Sequence, residues 1–222
     1  MAYVAPTVRS VGDAVTAADY NIMANNALQF APFVQGVFTN EAARDAAITS
    51  PTEGMHVYLT APTVPAATGA ITAVPTGIQT IYNGSVWVCV TEIGARSETN
   101  ASTQSTSFVS TLTGDATAIS VTLVTGTTAL VSFSFSAFTS GTTLFAAVAV
   151  SGASTIAASN GKSALKQDLS NAVANISTHG NSFVFTGLTA GTNTFTLQYK
   201  TGSAVNAYFD TGGRNLVVKG IA

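Results

Sequence analysis

The chain has 222 residues, enough for one large or two small domains at roughly 150 residues each. Hydrophobic residues make up 46% and charged residues only 8%, against roughly 25% charged in ordinary soluble domains, and the net charge is −2. No run approaches the roughly 20 apolar residues of a spanning helix, the eight Lys and Arg are scattered singly with no basic stripe for nucleic acid, and Cys89 alone excludes an intrachain disulfide framework.

Residues 1–12 read as an extended arm. A helix over 16–30 follows: Thr16 with Asp19 three positions on resembles a capping box, and Tyr20, Met23, Ala24, Ala27 and Leu28 recur on one face. Pro32 ends or kinks it, and Asn40 caps a shorter helix over 41–48 that must stop before Pro51. A small β unit comes next, with strands at 55–60, 79–82 and 85–90. Asn83-Gly84 between two apolar runs predicts a hairpin with a type I′ turn. Between these strands, 61–77 contains Pro62, Pro65 and Pro75 and is expected to be a long surface loop. Residues 93–105 read as a linker.

Beyond the linker the pattern is almost wholly β. Candidate strands are 107–112, 118–124, 129–135, 144–151 and 171–176, then a hairpin over 183–200, then 204–209 and 215–219. In the hairpin, Phe183, Phe185, Phe195, Leu197 and Tyr199 fall on alternate positions, which places them on one face. Val131, Phe133 and Phe135 alternate with serines in the same way. Short strands with glycine-marked turns and no helix between them indicate a sandwich. The expected fold class is therefore mainly β: an antiparallel β-sandwich or jelly roll over 106–222, preceded by a helical arm over 1–40 and a small helix and β-hairpin module over 41–92.

Chemical motifs are sparse. Gly161-Lys162-Ser163 has the tail of a phosphate loop but lacks the required earlier glycine, where Ile156 stands, so it reads as a polar loop. Glu53 and His56 lack a second histidine at helical spacing, and His56 and His179 are too few for a His-rich zinc site within one chain; no metal or cofactor is expected. Cys89 beside Trp87 reads as a small buried hydrophobe rather than a nucleophile. Tyr58, Tyr82 and Trp87 read first as core of the small β unit and second as a candidate ligand surface for a sugar. Asn83, Asn100 and Asn175 each start a glycosylation-acceptor pattern, but the start of the chain lacks a signal peptide's charged region and apolar core, and a protein made in the cytoplasm is expected. Asp115, Asp168 and Asp210 are the candidates should an acid-catalysed activity exist, although acids are few and a non-enzymatic role is favoured.

Three stretches resemble tailed-bacteriophage structural proteins. Residues 5–21 contain Gly12-Asp13 and Thr16-Ala-Ala-Asp19-Tyr-Asn21, similar to the pattern that opens an N-terminal helix in such proteins. Residues 43–55, followed by 81–87, look like a small module of tail fibres and minor virion proteins, and 188–199 is similar to a hairpin of C-terminal jelly-roll knobs. The resemblance implies a virion structural protein made in the host bacterial cytoplasm, a homotrimer attached to other virion proteins of tail or capsid through Thr16, Asp19, Tyr20, Met23, Ala27 and Leu28. Its β domain would project outward, with a host surface glycan as a candidate partner. It points to a short fibre or tail appendage, with a head-decoration protein and a carbohydrate-binding module as alternatives.

Overall fold

In the computed structural model, residues 36–139, 141–167 and 176–222 are described. The arm, the helix with Thr16, Asp19, Tyr20, Met23, Ala27 and Leu28, and nearly all of the strand expected at 171–176 lie outside the described residues. In chain order the first strands are β1 Gly36–Phe38, β2 His56–Leu59, β3 Ala66–Thr68, β4 Ile71–Ala73, β5 Ile78–Tyr82, β6 Trp87–Cys89, β7 Ile93–Ser97 and β8 Ala101–Thr103. They are followed by β9 Ser120–Thr125, β10 Thr128–Thr139, β11 Thr143–Gly152, β12 Ser163–Gln167, β13 Ser177–Thr186, β14 Gly191–Thr201 and β15 Ala207–Ile221. The helix α1, Glu41–Ala47, starts as expected: the Asn40 side chain accepts a 3.0 Å hydrogen bond from the Ala43 N–H.

Three sheets form. The small one has the order β1-β2-β5-β6. Two larger sheets face each other as a β-sandwich of the jelly-roll class, one ordered β13-β10-β15-β7-β4 with β8 also paired to β15, the other β12-β11-β14-β9-β3. The reason is visible in the alternation. On β10, Val131, Phe133 and Phe135 are buried while Ser132 and Ser134 face outward, and on β14 Phe195, Leu197 and Tyr199 are buried while Thr194, Thr196 and Gln198 face outward. The inward side chains meet across the sandwich: Phe185 and Phe195 pack edge to face at 5.9 Å, and Tyr199 and Phe209 at 4.7 Å.

Residues 183–200 are two strands but not a hairpin. β13 pairs with β10, from Thr128 opposite Thr186 to Ala137 opposite Ser177, whereas β14 pairs with β11 and β9 in the other sheet. The turn between them crosses from one sheet to the other. The shared apolar face belongs to two opposed sheets, because both strands bury phenylalanines toward one core.

Four further segments depart from the sequence reading. The proline-rich stretch expected as a loop supplies β3, which pairs with β9, and β4, which pairs with β7, so it adds an edge strand to each large sheet. The stretch expected as a linker supplies β7 and β8, both paired to β15. Sandwich strands therefore begin at residue 66, not at 106. The segment 107–112 makes only isolated bridges, Val109 with Tyr199 and Leu112 with Asp115. The expected strands at 204–209 and 215–219 are one strand, β15, with an irregularity where its pairing to β10 shifts between Phe135 and Ala137.

The Asn83-Gly84 turn joins β5 to β6 as expected, with a different geometry. No non-glycine residue among those described has positive φ, and Gly84 has φ 86°, at the first central position of the turn 83–86. This is where a type II′ turn places its glycine. Asn83 stays in ordinary backbone because its side-chain oxygen accepts from the N–H groups of Ser85 and Val86, at 3.1 and 3.0 Å.

Candidate functional site

Register in the small sheet decides which of its aromatics meet. Tyr82 is opposite Trp87, and their rings lie 5.3 Å apart. Tyr58 is opposite Gln79, on the other face of the strand pair. Tyr82 and Trp87 therefore form one cluster, and Tyr58 does not join it. Trp87 is buried, and α1 covers it: the Arg44 guanidinium lies 4.8 Å from the Trp87 ring centre and bonds Asp45 at 2.8 Å. Beside them is a cleft of about 250 Å³ lined by Glu41, Arg44, Leu59, Ile78, Trp87 and Val124, among others. Its rim is fixed by Glu41, whose carboxylate accepts from the N–H groups of Thr63 and Val64, both at 3.0 Å, and from the Thr63 hydroxyl at 2.9 Å. Partial burial works against the charge on Glu41, but these hydrogen bonds outweigh it and hold the carboxyl below its usual pKa.

A second aromatic pair stands on the outer face of the larger sheet that contains β10 and β15. Along β10 the exposed Leu130 is followed on the outward side by Ser132, Ser134 and Ser136, and two of these hydroxyls bond neighbours across the strands: Ser132 to Ser182 at 2.8 Å and Ser136 to Thr178 at 2.7 Å. The next outward residue is Phe138. It is opposite Tyr208, and the two rings stack with centres 4.8 Å apart at an angle of 15°. Tyr208 in turn is opposite Ser102, which bridges to Thr113. The cleft here measures about 350 Å³ and is lined by Asn100, Ser102, Thr113, Phe138 and Tyr208 over Phe209. Sequence reading missed this site. Its only signal was that a phenylalanine ends the row of outward serines on β10.

A buried polar cluster lies inside the sandwich. Arg214 is 1% exposed and reaches Asp115 at 2.5 Å, the Ser97 hydroxyl at 3.1 Å and the Thr99 carbonyl at 3.2 Å. Ser97 also donates to Asp115. Burial pushes the Asp115 carboxyl up, but the bonds from Ser97, the Thr117 N–H and Arg214 outweigh it and leave the carboxyl below its usual range. Burial raises the pKa of the adjacent Tyr199 hydroxyl, which finds no hydrogen-bond partner among the described residues. An acid held ionised against a buried arginine is poorly placed for proton transfer. Asp115, one of the three candidate acids, is engaged in this buried ion pair, and the side chains of Asp168 and Asp210 lie outside the described residues.

The remaining candidates are dispersed. Cys89 is buried, and burial first of all pushes its thiol up to about 11, so it is a protonated core residue at neutral pH. Lys162, in the former phosphate-loop candidate, lies over the Phe185 ring at 4.5 Å at the start of β12. His179 stacks on Phe135 at 5.8 Å, with its Nε2 2.8 Å from the Ser177 hydroxyl, while His56 is exposed on β2. No described helix is long and apolar enough to cross a membrane.

No protein-family model matches the chain, and no curated protein matches it. Solved structures do. Eiger TNF from S. frugiperda is 8% identical with a TM-score of 0.40, covering 56% of this chain and 87% of that one. The CBM22-1-GH10 modules of the xylanase Xyn10B from Clostridium thermocellum, complexed with xylohexaose, are 13% identical with a TM-score of 0.31, covering 56% of this chain and 26% of that one. An exo-β-1,3-galactanase from Phanerochaete chrysosporium, complexed with β-1,3-galactotriose, is 19% identical with a TM-score of 0.23, covering 56% and 27%.

Proposed function

We propose that the chain is a non-enzymatic structural protein of a tailed-phage virion, a short trimeric appendage attached through residues 1–40 with its sandwich projecting outward. The resemblance of residues 5–21, of 43–55 with 81–87, and of 188–199 to such proteins supports the virion context. The observation that carries the assembly is where the few charges lie. Arg44, Asp115, Lys166 and Arg214 are buried, so a chain with only 8% charged residues has fewer still on its surface. On the outward faces of the two large sheets, the charged side chains among those described are Arg96, Lys200 and Lys219. The rest of those faces is largely hydroxyl, amide and small side chains. A near-neutral surface associates readily, and broad neutral β faces suit contacts between copies.

Location on the particle tests the reading. Gold-labelled antibody against the recombinant chain, applied to purified virions of the phage that encodes it, is expected to mark the tail. Dense labelling over the head would shift the role to capsid decoration, and unlabelled virions would overturn the proposal.

A further inference from the structure

We propose that the cleft around Phe138 and Tyr208 is a binding site for a neutral saccharide. On this sheet face the outward positions of β10 run from the exposed Leu130 through Ser132, Ser134 and Ser136 to Phe138, and the cross-strand bonds of Ser132 to Ser182 and Ser136 to Thr178 keep the stretch before Phe138 polar. The aromatic pair ends this serine row, at the end away from Leu130 and Val184. The pair is accessible: Tyr208 is 37% exposed and Phe138 half-buried. Packing within the sandwich does not require these rings, since the opposite face of the same strands already presents Ala137 and Phe209 to the core.

The rim decides the class of ligand. Asn100, Ser102 and Thr113 supply neutral donors and acceptors beside the rings, and no described residue that lines the cleft is charged. A pyranose matches both features, because its C–H face lies on an aromatic ring while its hydroxyls pair with amide and hydroxyl groups at the edge. An anionic ligand would find no compensating cation here, and a purely apolar one would leave the rim unpaired. The volume of about 350 Å³ suits one or two sugar rings of a longer chain. The positions are held by β8: Tyr208 pairs with Ser102, and Ser102 bridges to Thr113, so rings and rim belong to one hydrogen-bonded sheet. The site is argued from this sheet face alone and stands whether or not the chain assembles on a particle.

The test is an array of neutral oligosaccharides, namely glucans, xylans, galactans and mannans, with alginate and heparin as charged controls, probed with the full chain. At least one neutral glycan is expected to be retained. Tyr208→Ala is expected to weaken that retention about tenfold, the loss of one stacking contact, while Tyr58→Ala on the small sheet leaves it unchanged. If Tyr208→Ala does not fold by thermal unfolding, Thr113→Glu at the exposed rim decides and is expected to abolish retention. No retained neutral glycan, retention of the charged controls only, or retention unmoved by the cleft variants would each overturn the site. Light scattering on the same sample reports assembly separately, so a monomer that binds would support the site and count against the trimer.

Discussion

Arg214 and Asp115 show how far a single side chain can depend on residues distant in sequence. A guanidinium buried to 1% exposure would cost several kcal/mol if unpaired. Here Asp115, Ser97 and the Thr99 carbonyl all engage its Nη2, Nε finds no partner among the described residues, and the rings of Phe209 and Tyr199 lie 5.3 and 5.8 Å from its centre. Asp115→Ala leaves that charge buried without its partner and is expected to cost roughly 3–5 kcal/mol by urea denaturation. The same pair sets a pH dependence. The folded pKa of Asp115 is lowered, so its contribution is complete above the unfolded value of about 3.9 and is lost as pH falls through the folded value. Unfolding midpoints at about pH 6 and pH 3 should therefore differ more in the native chain than in Asp115→Asn, and equal slopes would refute the assignment. The sequence marks Asp115 only as a candidate acid. Its partners lie at positions 97 and 214, and nothing local to any of the three announces that they meet.

At the scale of elements, alternation predicted faces well and partners poorly. The periodic phenylalanines of 183–200 identify two half-buried strands, and both exist as β13 and β14. Period-two patterning says which side of a strand is apolar, but a hairpin and a sheet-to-sheet crossing bury the same residues, so it could not separate them. Likewise β3, β4 and β7 are short and rich in Ala, Gly and Thr. Their strand character comes from the edges of β9, β7 and β15 that they pair with, a tertiary contribution that propensity does not register. The crossing is directly testable. Ser132 on β10 and Ser182 on β13 are opposite each other, with hydroxyl oxygens 2.8 Å apart. The double variant Ser132→Cys with Ser182→Cys is expected to oxidise to an intrachain disulfide, read as a mobility shift on a non-reducing gel, with Cys89 buried and uninvolved. Failure of this bond to form would count against the pairing of β13 with β10.

For the whole molecule, the decisive quantity is surface charge. With Arg44, Asp115, Lys166 and Arg214 buried, the charges left to keep copies apart are few, and the sheets' outward rows are hydroxyls that bond along the sheet, as Thr122 does with Thr194 at 2.8 Å. Apolar side chains are interspersed: Leu130 is opposite Val184, both exposed, with Ile221 nearby on the same edge of the sandwich. An interface made from such faces would draw on apolar burial and neutral hydrogen bonds, neither of which is screened by salt, whereas an interface held by ion pairs weakens as the Debye length falls from about 10 Å at 0.1 M to about 3 Å at 1 M. Under the trimer proposed above, the full chain at micromolar concentration should scatter light as three times its 22.5 kDa subunit mass, and keep that mass when salt is raised across this range. Dissociation by salt would show that the scattered cations carry the assembly after all. A subunit mass at low salt would overturn the proposed trimer.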